Sequence, residues 1–489
     1  MRTLIKGGWV VGHGPDGHEL LPEGVVVFED ARIEYVGYEW PGVPVDRVID
    51  AQGKLVCPGF IDSHVHTGHR SLHRLMSDVG RPEYLGQPFY ETALRRPGAP
   101  ADGRSAVGNL ALQARYTVVE LLRNGVTTFI EFGSNRTVNA ALAAECGRFG
   151  IRAWLGIGYE SYSWMCDENG RRYRVEHEEK GFEELNAALA FIDDLNNTGS
   201  GRLNGLLVPR DTDTCSPQLL KRTAAMASER NLAVAIHAAY NPWEFSEVVQ
   251  RHGCTPIEFL DRCGLLGPHT LLGHCNFPAQ DGSMHYPGGR DLEILGQSRA
   301  VISHCPVNLA RRGRVLKHWS RYRDYGIAIA LGTDTYPRDM IMQMRAATYM
   351  AKAVSGNLLS APANEVFDAS TTVCADFLGR RDLGRLAVGA AADIVIIDIG
   401  PSSMRYTPMR DPIRAVIECG VADDVEMVIV DGLIRVENRS VIGADMDELL
   451  MQSQADAERQ WAGVEAWDPL GRTADNRSPY CYPVLGSDN

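Results

Sequence analysis

Residues 58–66 read Pro-Gly-Phe-Ile-Asp-Ser-His-Val-His, a stretch that begins within the apolar run 56–64 and closes on two histidines. His64 and His66 stand two positions apart, and this spacing predicts that both imidazoles point to the same side of a strand, because side chains alternate between its faces. Seven further apolar runs follow, separated by segments of helical periodicity. Such alternation is typical of parallel strands that are buried on both faces. The eight runs are 56–64, 126–132, 151–158, 205–211, 232–238, 270–275, 300–305 and 327–334.

Eight strand–helix units over about 300 residues predict a (β/α)8 barrel, so the fold class is α/β. On both sides of these units the sequence changes to shorter Val- and Ile-rich runs, such as 24–28 and 393–398. These runs predict a small β-sandwich formed by both chain ends, with the barrel inserted between its two parts. The predicted domains are 1–57 (first sandwich part), 58–383 (barrel), 384–446 (second sandwich part) and 447–489 (C-terminal arm).

The 489 residues include 49 basic and 62 acidic side chains, which gives a formal net charge of −13. This balance argues against a nucleic acid or an anionic membrane surface as partner, since both require a concentrated positive patch. No apolar stretch reaches the roughly 18 residues of a membrane span, and the first residues lack the apolar core of a secretory signal. The 11 cysteines form no CxxC pair, so we expect a reduced, cytoplasmic protein. The partner that we expect is a small-molecule substrate.

Metal-binding side chains stand at the ends of the later runs. His237, His274 and His304 lie at or next to the ends of the fifth, sixth and seventh runs, and Asp334 closes the eighth. A single histidine at a strand end usually packs or faces solvent, but six such groups at equivalent ends occupy the place where barrel enzymes hold their catalytic side chains. Neutral imidazole and carboxylate oxygen are ligands for Zn²⁺ or Fe²⁺. The sequence therefore predicts a metal centre.

Several stretches resemble the amidohydrolase superfamily, and the match is closest to its cytosine deaminase and triazine hydrolase branch. The stretches are PGFIDSHVH (58–66), IH (236–237), GH (273–274), SHCPVN (303–308), LGTDT (331–335) and GRLAVGAAADIV (384–395). The metal ligands that this resemblance implies are His64, His66, His237 and Asp334. It further implies that His274 orients the attacking water, that His304 faces the substrate, and that the protein is a homo-oligomer of two or more copies.

The number of metal ions is inferred from a missing lysine. Binuclear members of the superfamily use a carboxylated lysine at the end of the fourth strand. The run 205–211 contains no lysine, and Lys221 lies well inside the following helix. We therefore expect one divalent ion per chain, Zn²⁺ in the first place, with Fe²⁺, Mn²⁺ or Co²⁺ as alternatives.

The main departure from the family pattern is Tyr240. Deaminases of this branch carry a glutamate three residues after the histidine of the fifth strand, where this chain has Tyr240, with Glu244 as a nearby substitute. A phenol donates a hydrogen bond to a developing oxyanion but is a poor proton shuttle near about pH 7. This favours a metal-dependent hydrolase that cleaves a C–N or C–S bond of a small amide, urea or (thio)carbamate, similar to the phenylurea and molinate hydrolases. The alternatives are an aminohydrolase (deaminase) or dechlorinase of a nitrogen heterocycle such as a triazine, pyrimidine or purine, and a non-catalytic scaffold.

Roles follow for the individual side chains. Asp334 is expected to accept the proton of the attacking water and to return it to the leaving group. Cys275 and Cys305 are expected to point behind the barrel wall, because neighbours on a strand face opposite ways. The predicted catalytic residues are Asp334, His274, His304 and Tyr240. The predicted substrate contacts are Tyr240, Asn241, His304, Asn308, Tyr159 and Trp164.

Overall fold

The computed structural model describes residues 1–67, 71, 74–75, 108–167, 171–198, 201–317, 319–468 and 470–484. The strands are β1 (Arg2–Gly14), β2 (Gly17–Glu29), β3 (Arg32–Gly37), β4 (Arg47–Asp50), β5 (Lys54–Pro58), β6 (Phe60–Val65), β7 (Val126–Glu131), β8 (Arg152–Leu155), β9 (Gly158–Tyr159), β10 (Tyr162–Cys166), β11 (Arg172–Glu176), β12 (Leu203–Gly205), β13 (Val208–Pro209), β14 (Val234–Ala238), β15 (Thr270–His274), β16 (Val301–His304), β17 (Ile329–Leu331), β18 (Ile394–Asp398), β19 (Val425–Val430), β20 (Leu433–Glu437) and β21 (Ser440–Val441).

The helices lie mostly between the strands of the central part. They are α1 (Leu110–Arg123), α2 (Arg136–Phe149), α3 (Glu178–Asn196), α4 (Pro217–Arg230), α5 (Pro242–His252), α6 (Pro256–Arg262), α7 (Asp291–Ser298), α8 (Pro306–Ala310), α9 (Trp319–Asp324), α10 (Met340–Ser355), α11 (Ala363–Ala369), α12 (Thr372–Phe377), α13 (Pro412–Cys419), α14 (Met446–Ala462) and α15 (Ala474–Arg477). Within the described part of the chain, none is long and apolar enough to cross a membrane.

Strands from both chain ends form one nine-stranded sheet, in the order β21-β20-β19-β18-β5-β1-β2-β3, with β4 paired to β1. The two ends join where β18 runs antiparallel to β5, with Ile394 opposite Pro58 and Val395 opposite Cys57. Apolar side chains from both parts, among them Val26, Val56 and Ile429, pack into a common core. The prediction that the two chain ends build one β unit is confirmed, and the predicted boundary at residue 57 falls within β5.

Eight parallel strand positions form the central part, as two four-stranded sheets ordered β12-β8-β7-β6 and β14-β15-β16-β17. Isolated parallel bridges join the sheets on both sides: Leu207 to Val234 and Asp211 to His237 on one, and Val65 to Asp334 on the other. Among the described residues no continuous ladder closes this ring. The bridges bring the carboxyl ends of β6, β14 and the chain after β17 to one side of the molecule.

The third and fourth predicted runs are each divided into two short strands, β8 with β9 and β12 with β13. Gly156 separates the first pair, and an added Cβ there would lie only 2.2 Å from Val208 Cγ2. The breaks in the two runs lie opposite each other, because Gly205 pairs with Leu155 before them and Val208 pairs with Gly158 after them.

The helices cover the outer side of these strands with the apolar faces that their periodicity predicts. Helix α4 begins after Ser216, whose hydroxyl accepts from the Leu219 N–H, and has a proline in its first turn. It ends at Asn231, which takes a left-handed conformation (φ +51°). Helix α4 thus occupies one of the segments of helical periodicity that separate the apolar runs.

A buried ion-pair network connects the nine-stranded sheet to the central strands. Arg152 of β8 is 3% exposed, and its Nε lies 2.7 Å from Asp393 Oδ2. Its Nη2 also contacts Asp431, which accepts from Arg202 Nη1 at 3.2 Å. Both acidic residues lie next to strands of the sheet, so these charges fix the sheet against the barrel strands.

The segment predicted as a C-terminal arm opens with the 17-residue helix α14, which packs on α1 of its own chain. Asp456 accepts from the Asn109 N–H at 3.1 Å, directly before α1. Trp461 Nε1 donates to the Ser71 carbonyl at 2.8 Å. The arm therefore finds a surface within the chain, and its packing does not require a partner.

Candidate metal centre

The first two histidines meet as their spacing predicts. His64 Nε2 and His66 Nε2 are 3.1 Å apart at the carboxyl end of β6. Asp62 holds this strand end in place, because its carboxylate accepts from the His64 N–H at 3.2 Å and from the Thr333 N–H at 2.9 Å. Burial raises the pKa of Asp62 to about 6, against the effect of the hydrogen bonds from Thr333. Asp62 thereby ties β6 to the segment that carries Asp334.

His237 of β14 completes a group of three imidazoles. The ligand atoms of His64, His66 and His237 all lie within 4.8 Å of one another. The Nδ1 atom of His237 lies 2.9 Å from the Arg210 carbonyl and 3.1 Å from Asp211 Oδ1. These two acceptors favour the tautomer with the proton on Nδ1, which leaves the Nε2 lone pair free for a metal. Burial is the largest single effect and lowers the pKa of His237, but the hydrogen bond and charge of Asp211, the Arg210 carbonyl and the charge of Asp334 together outweigh it, so the pKa is raised.

Asp334 stands beside these rings, three residues after β17. Its Oδ1 lies 3.7 Å from His66 Nε2 and its Oδ2 lies 3.5 Å from His274 Nε2. The backbone of Asp334 is left-handed (φ +61°), its N–H donates to the His64 carbonyl at 2.7 Å, and its own carbonyl accepts from the His66 N–H at 2.8 Å. Burial raises the pKa of Asp334, while the positive charges of Arg312 and His237 oppose that effect.

These residues fit a divalent ion. A tetrahedral ion with nitrogen ligands at about 2.0–2.1 Å separates those nitrogens by about 3.3 Å, close to the 3.1 Å between His64 Nε2 and His66 Nε2. Without an ion, only one of these two nitrogens can donate to the other. Three imidazoles and a carboxylate are also the ligand types that Zn²⁺ accepts in catalytic sites. The donor set is therefore suited to Zn²⁺ both in spacing and in chemistry.

Two further predicted histidines, His274 and His304, end the neighbouring strands β15 and β16. The His274 ring stacks on the His64 ring, with centroids 4.8 Å apart. Burial, followed by the charges of His237 and Arg312, lowers the pKa of His274 well below its usual value. Burial lowers the pKa of His304 to about 3. Both imidazoles are thus neutral near about pH 7, the form that can accept as well as donate a hydrogen bond.

Glu244 and Tyr240 occupy different places after β14. Glu244 is fully buried, and its carboxyl group accepts from the Ala239 N–H at 2.9 Å, from the Tyr240 N–H at 3.1 Å and from the Thr212 hydroxyl. Burial raises the pKa of Glu244 well above its usual value. The half-buried Tyr240 ring lies 5.8 Å from the His237 ring, centroid to centroid. Glu244 therefore fixes the loop, and Tyr240 is the side chain that adjoins the metal-binding rings.

The structure corrects the predicted substrate contact of Tyr159 and gives Asn241 a capping role. Tyr159 is fully buried, and its hydroxyl lies 3.0 Å from the Thr223 hydroxyl on α4, outside the strands. Asn241 is 1% exposed, and its Oδ1 accepts from the Glu244 N–H at 2.8 Å as the N-cap of α5. Tyr159 is thus committed to packing. Asn241 caps α5 through its Oδ1, while its Nδ2 is buried without a hydrogen-bond partner among the described residues, so substrate binding by Asn241 stays a prediction.

The other two proposed contacts differ from each other. Asn308 is buried, and its amide Nδ2 donates to Asp334 Oδ2, so the structure shows it holding a predicted ligand. Trp164 is half-buried, its Nε1 donates to Asp213 Oδ2 at 2.8 Å, and its ring lies 4.6 Å from the Trp243 ring. Substrate binding by Trp164 stays a prediction.

Cys305 is placed differently from its prediction. Its Sγ forms a second group with His64 and His274, in which the ligand atoms lie within 4.8 Å of one another. Strand β16 ends at His304, so alternation between strand faces no longer holds at the next residue. Cys275 is buried as predicted.

Sequence reasoning missed the residues that support this group. Asp62 and Asp211 were visible as acidic residues in the first and fourth runs, and strand alternation puts Asp62 on the same face as His64. Arg338 gave no such signal. It is 1% exposed, donates to the His66 carbonyl at 2.8 Å through Nη2, and pairs with Glu120 at 2.9 Å.

Two relatives match most of the chain. A 5-methylthioadenosine/S-adenosylhomocysteine deaminase from Halothermothrix orenii is 25% identical over 94% of this chain and 100% of its own. A 5'-deoxyadenosine deaminase from Methanothermobacter thermautotrophicus is 28% identical over 85% of this chain and 89% of its own.

Solved structures share the fold. An adenosine deaminase from Xanthomonas campestris with bound zinc has a TM-score of 0.77 at 19% identity and covers 94% of this chain and 98% of that one. An atrazine chlorohydrolase from Arthrobacter aurescens, in complex with zinc, has a TM-score of 0.78 at 23% identity and covers 93% of this chain and 100% of that one. The amidohydrolase family profile matches residues 55–435, which confirms the resemblance read from the sequence. The chain belongs to the amidohydrolase family and is an enzyme that hydrolyses carbon–nitrogen bonds.

Proposed function

We propose that the protein is a metal-dependent aminohydrolase that replaces an amino group on a small nitrogen heterocycle with oxygen and releases ammonia. The observation that carries this proposal is the placement of Asp334 between His66 and His274, at 3.7 and 3.5 Å. This places a proton acceptor and a neutral imidazole beside one donor set for a metal. The relatives that match over most of the chain are named as deaminases of adenosine derivatives, which favours a purine-like heterocycle.

The residues that would hold a single divalent ion are His64, His66, His237 and Asp334. Zn²⁺ is the ion we expect, because the structures of the Xanthomonas and Arthrobacter proteins contain zinc. When bound, such an ion lowers the pKa of water towards about 7 and so supplies a nucleophile at neutral pH.

The side chains of this site supply the proton transfers. Asp334 accepts the proton of the attacking water, and Asn308 orients its carboxylate through the bond to Oδ2. His274, kept neutral by burial, holds the water by a hydrogen bond. After water has added to the carbon that bears the amino group, Asp334 returns the proton to the departing nitrogen, the C–N bond breaks and ammonia leaves. Tyr240 donates a hydrogen bond to the ring nitrogen on which negative charge develops.

Hydrolysis of an amide, urea or (thio)carbamate is the second candidate, and Tyr240 is the observation that favours it. Glu244 engages two backbone N–H groups, so the loop after β14 presents the Tyr240 phenol, and not the Glu244 carboxylate, to the His237 ring. A phenol suits an oxyanion that forms on a carbonyl substrate. The full set of predicted ligands argues against a non-catalytic scaffold.

Product analysis of the purified, zinc-loaded enzyme separates the two candidates. We expect ammonia from at least one member of a panel of adenosine, methylthioadenosine, cytosine and an aminotriazine. The matched panel of N-aryl ureas and carbamates should release no arylamine. Asp334→Asn, with its zinc content measured, is the control for contaminating activity. Arylamine release without ammonia from any heterocycle would reject deamination in favour of the second candidate.

A further inference from the structure

Three arginines stand within four residues, at Arg311, Arg312 and Arg314, directly after the short helix that follows the His304 strand. We call these three residues the arginine rim. The chain as a whole carries a formal net charge of −13, so a cluster of this kind runs against its overall charge balance. A local cluster of positive charge attracts anionic ligands to its part of the surface, even in a protein with a negative net charge.

The arginine rim contacts the loops that carry the catalytic side chains. The Arg311 guanidinium lies over the Tyr336 ring, 4.1 Å from its centroid, and donates to the Tyr336 carbonyl. Arg314 donates to the Tyr240 carbonyl at 3.1 Å and lies 5.4 Å from the centroid of the Phe277 ring. Tyr336 is two residues from Asp334, Tyr240 three from His237, and Phe277 three from His274. The rim thus borders the carboxyl ends of the strands that hold the site.

Arg311 and Arg314 use only some of their guanidinium N–H donors within the described part of the chain. Arg311 and Arg314 each contact a backbone carbonyl, and neither forms an ion pair with an acidic side chain in the described ranges. A guanidinium carries five N–H donors in a planar fork that matches carboxylate or phosphate. Arg152, by contrast, is paired with Asp393 and Asp431.

We propose that the substrate carries an anionic group, a carboxylate or a phosphate, which the arginine rim binds at the mouth of the site while the heterocycle lies against the metal-binding side chains. This inference rests on the proposed function and names the class of its substrate. It assigns Arg311, Arg312 and Arg314 to specificity and leaves the chemical steps to Asp334 and its neighbours.

Equilibrium binding to the zinc-loaded enzyme tests the rim apart from turnover. The probes are adenosine, adenosine monophosphate and the adenosine derivative whose ribose CH2OH is oxidised to a carboxylate. The variants are Arg312→Gln and the double variant Arg311→Gln/Arg314→Gln. Arg222→Gln on the exposed face of α4 is the matched control, because it removes one arginine charge far from the site. Zinc content and the circular dichroism spectrum of each variant report whether the site and the fold persist.

We expect at least one anionic probe to bind about ten-fold more tightly than adenosine, since a hydrogen bond to a charged group contributes about that factor. The preferred probe identifies the anion as phosphate or carboxylate. The ratio of the affinity for the preferred anionic probe to the affinity for adenosine should fall towards one in both rim variants. The same ratio should persist in Arg222→Gln. Equal affinity for all three probes, no binding of either anion, or a preference that survives in folded, zinc-loaded rim variants would overturn the inference. If an anionic probe binds as expected but releases no ammonia, the rim assignment stands and the proposed deamination fails.

Discussion

Tyr240 can serve either of the two reaction types that this site can support. Its ring adjoins His237, while the neighbouring carboxyl group of Glu244 is engaged by the backbone of the same loop. Both a ring nitrogen and a carbonyl oxygen gain negative charge during attack by water. A phenol hydroxyl stabilises that charge as a hydrogen-bond donor in either case.

Tyr240→Phe removes this donor and little else. Loss of one such donor lowers kcat by about 10²–10³-fold. We expect that decrease in steady-state assays, with zinc content unchanged. Full activity of Tyr240→Phe would contradict the role, and so would higher activity of Tyr240→Glu on the natural substrate.

Glu244 is expected to act through the loop and not on the substrate. Glu244→Gln keeps the shape and one acceptor oxygen but places an NH2 group opposite a backbone N–H. A buried donor left without a partner costs about 1–3 kcal/mol, so the free energy of unfolding should fall by that amount in a denaturant titration. Turnover should stay within about ten-fold of the wild type. Loss of nearly all turnover without any loss of stability would instead identify Glu244 as the catalytic acid.

Strand-end histidines could be found from sequence, but hydrogen-bond partners could not. His64, His66 and His237 follow from strand position, which apolar runs reveal. Tyr159 is a predicted substrate contact, yet it belongs to β9 and its hydroxyl lies beside Thr223 on α4. Asn308 is also a predicted substrate contact, and its bond to Asp334 depends on loops that no local pattern describes.

At the scale of elements, the junction between the nine-stranded sheet and the central strands depends on Arg152. This side chain is 3% exposed and pairs with Asp393, which is also 3% exposed. Charges that are paired in the interior become costly when one partner is removed, because the other is left buried and unpaired.

Arg152→Met should therefore destabilise the protein by about 3–5 kcal/mol. Arg230→Met is the control, since its contact with Asp193 lies at the surface and contributes about 0–1 kcal/mol. Differential scanning calorimetry should show a clear decrease in Tm for the first variant and almost none for the second. Equal Tm values for the two variants would contradict a stabilising role for this junction.

Hydrophobic periodicity predicts which elements are present more accurately than it predicts the residues at which they begin and end. The runs that became β14, β15 and β16 were predicted almost to the residue, because uninterrupted apolar stretches mark them. Asp334 lies beyond β17, which ends at Leu331, and its left-handed backbone is set by bonds to His64 and His66. Such contacts between distant parts of the chain leave no trace in the hydrophobic pattern.

For the whole molecule, we propose assembly into a homo-oligomer. The family resemblance implies it, and the structure leaves apolar side chains exposed on α10 and in the loop after it, among them Tyr349 (46%), Leu358 (81%) and Leu359 (73%). Light scattering should report at least twice the chain mass of 53.8 kDa at micromolar concentration. Leu358→Asp should weaken the association if this surface forms the contact. A wild-type mass equal to that of one chain would contradict the proposal.

The metal content of active protein tests the proposed centre most directly. We expect elemental analysis to find one zinc ion per chain, and chelation to abolish an activity that added Zn²⁺ restores. His66→Ala should lose both metal and activity while retaining its fold, because only two of the three imidazole ligands then remain to hold the ion. His269→Ala, an exposed histidine on the loop before β15, should keep both. Two ions per chain, active protein without metal, or zinc retained in His66→Ala would contradict the account.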